Sequence, residues 1–257
     1  PQTAFTCAGN FWPGPFTMIL PRGAEVDPQV SAGLETVAVR MPSDNIARAI
    51  IRAAGPLAAP SANTSGKPSP TTAERVLEDL DGKIDAVVLA GECTVGVEST
   101  VVSLVARPPR LLRPGGVTAE QLRELIPELE IDAAVMSEPK SGERVASPGM
   151  KYKHYAPATQ TYLVEGSSED FVRYVNSVPD RVVVCFDEEL PAVDGKKLSY
   201  GSAGDDSAHA HRIFEVLREL DGFGAGSAYV HAPDKKGIGL AVYNRLVRAA
   251  AFRVIKL

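Results

Sequence analysis

The sequence has few cysteines and no long apolar run. Its three cysteines, Cys7, Cys93 and Cys185, are far apart and form no CxxC pair. This spacing is typical of reduced thiols in a cytosolic protein and argues against a disulfide framework. No apolar run approaches the roughly 18 residues of a membrane span, and no signal peptide is visible. We therefore expect a cytoplasmic protein without a membrane partner.

The sequence also lacks the short motifs of several common enzyme classes. It has no GxSxG elbow, no Walker loop and no complete dinucleotide fingerprint. Gly237 and Gly239 lead into the last predicted helix and could bind phosphate at its N-terminus, but two glycines are more typical of an ordinary turn at the start of a helix. His209 and His211 are two residues apart and so do not share a helix face. No cysteine or carboxylate pattern completes a metal site with them, and we predict no protein-held metal.

Neither sign of charge is in large excess. The chain has 27 Lys and Arg residues against 32 Asp and Glu residues, a net charge of −5. There is thus no global electrostatic attraction to nucleic acid or to anionic membranes. With 257 residues, 44% of them hydrophobic and 23% charged, the chain is typical of soluble globular proteins with one large or two ordinary domains.

Strand-like and helix-like segments alternate along the chain. In the first half we predict strands at residues 16–20, 36–40, 57–59, 86–90, 99–105 and 109–112 and helices at 43–54, 72–80 and 118–126. In the second half we predict strands at 162–164, 181–186 and 228–231 and helices at 169–175, 208–220 and 239–251. This alternation predicts an α/β fold, with a Rossmann-like pattern in the second half.

Residues 128–158 differ in kind from the segments on either side. They show little periodicity, so we predict an interdomain linker between a domain at 1–127 and a smaller one at 159–257. The linker nevertheless carries Tyr152 and Tyr155 close together, and aromatic side chains tend to bury against something. They either pack on a domain surface or take part in function, and the residues alone leave both open.

The loop at residues 60–72, PSANTSGKPSPTT, is dense in Pro, Ser, Gly and Asn and is therefore neither a regular helix nor a central strand. It offers small hydroxyl and amide groups at Ser61, Asn63, Thr64, Ser65 and Ser69. Such groups, followed by a helix N-terminus, can surround an anionic ligand with hydrogen bonds. The alternative is a surface loop that caps its own turns.

Two arginines and a Ser-Thr pair stand at the ends of predicted strands. Arg40 ends the strand at 36–40, and Arg113 lies on the turn after the strand at 109–112. Ser99 and Thr100, in GVESTVV, open another strand. Each arginine alone is more often an ordinary surface residue. Together they describe two cationic anchors among neutral donors, which suits a nucleotide and a small acid.

These segments carry a resemblance. FWPGPFTMIL, TVAVRMP, PSANTSGKPSPTT, GVESTVV, LLRPGG and SPGMKYKHYAP occur in this order. The set resembles the long, two-domain L-threonylcarbamoyladenylate synthases of the YrdC-like family, from about Phe11 to the end of the chain. The resemblance implies a YrdC-like twisted-sheet catalytic domain, a linker and a smaller Rossmann-like domain.

The resemblance implies an enzyme that joins L-threonine, bicarbonate and ATP into threonylcarbamoyl-AMP and releases pyrophosphate. Mg²⁺ would assist with ATP, and no side-chain nucleophile is required. A downstream transferase complex would pass the threonylcarbamoyl group to tRNA. Double-stranded RNA or tRNA is a further expected partner.

The resemblance also implies roles for single residues. Arg40 would hold the threonine carboxylate, and Ser99 and the backbone near Ala59 would complete that pocket. ATP would contact Thr36, Ser61, Asn63, Ser69 and Arg113. Tyr155 or Tyr152 of the linker would fold over the site as part of a lid.

The sequence departs from the family at its start. The chain opens at Pro1 without methionine, and the family's N-terminal lysine and arginine, which grip the ATP phosphates, are not in it. We expect the natural protein to begin earlier and the activity to belong to the complete protein. Two alternatives stay open: an RNA-binding or ribosome-maturation module without catalysis, and a carbamoyl-transferring maturation protein. The latter should carry zinc-finger or acylphosphatase-like segments, which the sequence lacks.

Overall fold

The computed structural model describes residues 1–137 and 155–257. These residues form two compact units. The first unit contains Pro1–Pro60 and Glu98–Val135, and the second contains Ser61–Val97 and residues 136–137 and 155–257. Tyr152, one of the two predicted lid tyrosines, lies outside the described residues.

The elements alternate as the sequence predicts, and the α/β fold class is confirmed. The helices are α1 (Gln2–Phe11), α2 (Asn45–Ala54), α3 (Ala73–Leu80), α4 (Ala119–Leu125), α5 (Ser168–Ser177), α6 (Asp206–Glu219) and α7 (Gly239–Ala249). The strands are β1 (Phe16–Pro21), β2 (Thr36–Arg40), β3 (Thr100–Ser103), β4 (Arg110–Arg113), β5 (Glu130–Ile131), β6 (Gln160–Glu165), β7 (Arg181–Cys185), β8 (Lys196–Ser199), β9 (Ser227–His231) and β10 (Val254–Lys256). Among the residues that the structure describes, no helix is long and apolar enough to cross a membrane.

The first unit is built on a mixed five-stranded sheet in the order β2-β1-β3-β4-β5. β1 pairs with β2 antiparallel and with β3 parallel, and β4 pairs with β3 antiparallel. Side chains alternate between the two faces of a strand, so Phe16 and Met18 of β1 face one side and Thr17 faces the other. The face with Phe16 and Met18 packs with Leu122 of α4 in a buried core. The opposite face carries Thr17 beside a small buried cluster that includes Ile19 and Val101.

The second unit contains a parallel five-stranded sheet in the order β10-β6-β9-β7-β8. Phe171 of α5 packs in the core on one face of this sheet, and Phe214 of α6 and Leu246 of α7 pack in the core on the other. Helices on both faces of a parallel sheet are the doubly wound arrangement. The predicted Rossmann-like domain is therefore confirmed. β8 and β10 were not predicted from the sequence.

Two predicted strands do not form in the described structure. Residues 57–59 and 86–90 have no regular secondary structure, and Val88 and Leu89 are 58% and 73% exposed. An apolar run becomes a strand only when a neighbouring strand accepts and donates its backbone hydrogen bonds. Within the ranges that the structure describes, neither run has such a neighbour.

Smaller differences concern the ends of elements. α1 was not predicted, and β5 with a 3₁₀ turn (Ala133–Val135) lies where the sequence predicts an irregular linker. α2 is capped by Asp44, whose side chain accepts a hydrogen bond from Ala47 N at 2.7 Å, and not by Ser43. Thr118 and Gln121 do form the predicted capping box at the start of α4.

Candidate functional site

A row of paired residues crosses the sheet of the first unit. Arg40 of β2 pairs with Thr17 of β1, Thr17 pairs with Val101 of β3, and Val101 pairs with Arg113 of β4. Directly paired residues place their side chains on the same face of a sheet. Three strand spacings of about 4.8 Å separate the two arginine positions by about 14 Å. The two cationic anchors predicted from the sequence therefore lie on one face of one sheet.

A register shift puts Arg113 on this face. The pairing slips between Val101 and Val102, so Leu112 and Arg113 both lie opposite Val101. Without the extra residue, alternation would direct Leu112 and Arg113 to opposite faces. Leu112 packs in one buried cluster with Ile19 and Val101. Leu112 therefore lies on the same face of the sheet as Val101. Such bulges re-aim side chains next to functional sites.

Ser99 connects two members of the row, Thr17 and Arg113. Its hydroxyl lies 2.7 Å from the Thr17 hydroxyl and accepts a hydrogen bond from the Arg113 guanidinium at 3.2 Å. Arg113 Nε also donates to the Ser99 carbonyl at 3.0 Å. Ser99 is 4% and Thr17 8% exposed. The Arg113 side chain is thus held in a fixed orientation.

The turn that follows β4, at residues 114–117, packs against residues 98–100 at the start of β3. The Thr100 hydroxyl donates to Val117 O at 2.6 Å and accepts from Val117 N at 3.0 Å. A Cβ at Gly115 would lie 2.5 Å from Glu98 O and 2.4 Å from Thr100 N. Only glycine allows this approach. The Arg-Pro-Gly-Gly turn was of interest in the sequence because of Arg113. The structure shows that Gly115 is the residue that allows the turn to lie against the start of β3.

The other predicted residues of the first unit are more exposed. Thr36 begins β2 and lies four residues before Arg40, so the two share a face. Thr36 is half-buried and Arg40 is exposed. Ala59 is exposed and lies in a segment without regular structure.

The loop at residues 60–72, called here the hydroxyl-rich loop, begins in the first unit at Pro60 and continues in the second. Asn63 Nδ2 donates to Thr64 O at 2.9 Å and to Lys67 O at 3.3 Å. This is the self-capping that the surface-loop alternative predicts. The Asn63 Oδ1 atom, however, is buried and has no hydrogen-bond partner among the described residues. Buried acceptors are normally paired, so this oxygen is an exception among the described residues of the loop.

The remaining loop residues and the lid tyrosine differ in burial. Ser61 is exposed, and Ser69 is 8% exposed. Tyr155 is 7% exposed and packs on Phe214, with ring centroids 5.2 Å apart. Its φ of 62° is unusual for a residue other than glycine. The core of the second unit therefore holds this tyrosine, as the packing alternative for the linker aromatics predicts.

Gly239 is the first residue of α7, and His209 and His211 lie on α6. A Cβ at Gly239 would lie 2.4 Å from Asp234 O, so this glycine is needed for the turn before α7. His209 is fully buried with Nε2 2.8 Å from Ser202 O, whereas the His211 side chain is 41% exposed. In the ranges that the structure describes, no group of three or more metal-ligating side chains is found.

Two residues near the candidate site, Thr17 and Asp79, are not among those predicted from the sequence. Thr17 is the one polar side chain in the apolar run at 16–20, and this isolated polarity was a usable signal. Asp79 accepts hydrogen bonds from Thr64 N and from Lys67 Nζ, both at 3.2 Å, and so holds the hydroxyl-rich loop. No pattern in its neighbours marks Asp79.

Comparisons with known proteins place the chain in a family. The family model described as "Telomere recombination" matches residues 1–115, and the model described as "Threonylcarbamoyl-AMP synthase, C-terminal domain" matches residues 117–251. The threonylcarbamoyl-AMP synthase of Pyrococcus abyssi is 41% identical over an alignment of 269 residues, which covers 100% of this chain and 76% of that protein. The chain belongs to the threonylcarbamoyl-AMP synthase family.

Further similarity supports the two-domain form. The threonylcarbamoyl-AMP synthase of Bacillus subtilis is 42% identical over 263 residues, covering 100% of this chain and 75% of that protein. The crystal structure of P. abyssi Sua5 complexed with L-threonine matches with a TM-score of 0.88 at 38% identity, covering 100% of this chain and 76% of the other. The resemblance seen in the sequence is confirmed, together with the fold that it implies.

Proposed function

We propose that this chain is a nucleotidyltransferase that makes threonylcarbamoyl-AMP from L-threonine, bicarbonate and ATP. The observation that carries the proposal is the row from Arg40 to Arg113, in which Ser99 joins Thr17 to Arg113. The whole of this chain also matches the P. abyssi structure complexed with L-threonine. Membership of this family favours the synthase over the RNA-binding module and the carbamoyl-transferring maturation protein.

The two arginines suit the two anionic substrates. A guanidinium binds carboxylate or phosphate oxygens through paired N–H donors. Arg40 binds the threonine carboxylate, with Ser99 and the backbone near Ala59 at the same pocket. Arg113, oriented by its hydrogen bonds to Ser99, binds ATP phosphate.

The loop supplies neutral contacts to the nucleotide. Ser61, Asn63 and Ser69 bind ATP together with Thr36. The resemblance also assigns a nucleotide contact to Tyr155 or Tyr152, and Tyr155, which packs on Phe214, would have to leave the core of the second unit to make it.

The reaction needs no nucleophilic side chain. L-Threonine nitrogen and bicarbonate form a carbamate with loss of water, and a carbamate oxygen attacks the α-phosphorus of ATP. The bond from that phosphorus to the bridging oxygen breaks, and pyrophosphate leaves. The protein positions the reactants and stabilises phosphate charge. Mg²⁺ enters with ATP as part of the substrate. A downstream transferase complex then uses the product to form threonylcarbamoyladenosine in tRNA.

Pyrophosphate release tests the proposal. The purified protein is incubated with ATP, Mg²⁺ and bicarbonate, with and without L-threonine. We expect release that depends on threonine and on bicarbonate, and mass spectrometry should detect threonylcarbamoyl-AMP. Folded protein without threonine-dependent release would contradict the proposal, and salt-dependent RNA binding by the same protein would then favour the binding module.

A further inference from the structure

Asp79 is a buried carboxylate at the end of α3 with three partners from two parts of the second unit. Its side chain is 1% exposed. It accepts hydrogen bonds from Thr64 N and Lys67 Nζ of the hydroxyl-rich loop, both at 3.2 Å, and from the Arg218 guanidinium at 3.0 Å. A buried carboxylate persists only where it is paired and hydrogen-bonded. Asp79 therefore ties the loop to α6.

Arg218 binds the loop directly as well. Its NH2 group donates to Pro68 O at 2.6 Å in addition to Asp79, and its side chain is 9% exposed. One guanidinium thus holds both the carboxylate and the loop backbone. Lysine cannot reproduce this arrangement, because its ammonium group is a single point of charge without the planar fork.

A second ion pair repeats the contact one helical turn away. Arg75 Nε donates to Glu215 at 3.1 Å, and Arg75 also binds Glu78 at 2.8 Å. Arg75 and Asp79 are four residues apart on α3, and Glu215 and Arg218 are three apart on α6, so each pair shares a helix face. The charges are crossed: positive then negative on α3, negative then positive on α6. This pattern fixes the register between the two helices.

The backbone of α6 also lies close to a segment that follows α3 in the sequence. A Cβ at Gly96 would lie 2.2 Å from Ala210 O. The segment 61–97 is thus attached to α6 at three places along the helix: near Ala210, at Glu215 and at Arg218. The loop at 61–69 is the part of this segment whose backbone Arg218 and Asp79 hold.

We propose that Asp79 and Arg218 are positioning residues that hold the loop at 61–69 in the shape that binds the nucleotide, which gives the second half of the chain a role in substrate binding. The inference rests on the proposed function, which places Ser61, Asn63 and Ser69 at ATP. Neither residue needs to touch a substrate. A loop held in its binding shape does not have to be ordered when ATP binds, so the support increases ATP affinity.

Kinetics of three arginine variants test the proposal. Arg218→Met removes the fork and keeps an unbranched side chain, and we expect it to raise the KM for ATP about tenfold. The KM for L-threonine should stay within about twofold, since the threonine pocket is assigned to the first unit. Arg218→Lys should give an intermediate KM for ATP. Arg212→Met, on the same helix with a side chain 50% exposed, is the matched control and should behave like the unmodified protein.

Hydrogen exchange supplies a readout that does not depend on turnover. The Thr64 amide, which donates to Asp79, should exchange faster in Arg218→Lys and in Asp79→Asn than in the Arg212→Met control. An unchanged KM for ATP in Arg218→Met, or equal rises in both KM values, would overturn the proposal. So would unchanged exchange at residues 61–69. If the unmodified protein releases no pyrophosphate, the proposed function fails, and binding of a non-hydrolysable ATP analogue by these variants still decides whether the support acts on the nucleotide.

Discussion

The Arg113 guanidinium donates hydrogen bonds to both the carbonyl and the hydroxyl of Ser99. The Ser99 hydroxyl in turn lies 2.7 Å from that of Thr17. At the scale of single residues, the site is therefore a short hydrogen-bonded chain that fixes one cation, while Arg40 stands exposed on the same face. Because Arg113 is held by Ser99 and Arg40 is exposed, we expect substitutions of the two arginines to have different effects.

We expect Arg40→Ala mainly to raise the KM for L-threonine and Arg113→Ala mainly to raise the KM for ATP, each by about 10- to 100-fold. This range corresponds to the loss of one or two hydrogen bonds to a charged group. Titration of each substrate against each variant measures it. Arg110→Ala is the control, because Arg110 lies on the same strand with a side chain 46% exposed. Interchanged effects of the two variants would show that the roles are assigned the wrong way round.

Asp79 makes the stability of the second unit depend on pH. Burial raises the pKa of its carboxyl group, but hydrogen bonds from Arg218, Lys67 and Thr64 outweigh burial and lower the pKa from 3.8 to about 2. The stabilisation is therefore present above pH about 4, where an unfolded aspartate ionises, and is lost as the pH falls through about 2. The difference of nearly two pKa units is worth about 2 kcal/mol.

Asp79→Asn should remove this dependence. We expect the free energy of unfolding of the unmodified protein to fall between pH 4 and pH 2 by about 2 kcal/mol more than that of the variant. Urea unfolding across this range measures the difference. Parallel pH profiles for the two proteins would contradict the assignment of Asp79 as the titrating group.

At the scale of elements, the turn after β4 and the start of β3 form one packed piece. Gly115 lies so close to the backbone of Glu98 and Thr100 that no side chain fits, and the Thr100 hydroxyl bonds both backbone groups of Val117. The turn therefore positions Ser99, which orients Arg113. The geometry of the site depends on a glycine that touches no proposed substrate.

Gly115→Ala should destabilise the protein by about 1–3 kcal/mol, because the new methyl group overlaps backbone atoms that cannot move independently. The KM for ATP should rise as well, since Ser99 shifts. Thermal unfolding and steady-state kinetics measure the two effects. Gly9→Ala in α1 is the control: nothing lies within 4 Å of the position of its Cβ, and alanine is the better helix former. Equal stability of Gly115→Ala and Gly9→Ala would contradict the packing.

At the scale of the whole molecule, binding of a ligand to the folded state raises stability by mass action. L-Threonine at about 100 times its Kd should stabilise the protein by about 2.7 kcal/mol, which corresponds to a rise in Tm of about 5–10 °C. Arg40→Ala should lose this rise, measured against its own Tm without ligand. D-Threonine is the control ligand. A rise in Tm that persists in Arg40→Ala would show that another group holds the carboxylate.

Much of the fold follows from local sequence signals. The capping box at Thr118 and Gln121 formed as predicted, because both of its hydrogen bonds join residues three apart. The helices of the second half also formed close to their predicted positions, because apolar residues at helical spacing specify a buried face. The runs at 57–59 and 86–90 did not form strands, because a strand needs a partner that the run itself does not specify.

The sequence by itself determined the alternation of strands and helices, the two-domain resemblance and the residue types of the site, because these depend on neighbours within a few positions. Only the tertiary structure decided that Arg40, Thr17 and Arg113 share a sheet face, that a register shift directs Arg113 to it, and that Asp79 and Arg218 hold the loop. The last contact joins residues 139 positions apart. Such contacts depend on strand order and helix packing, which no local pattern encodes.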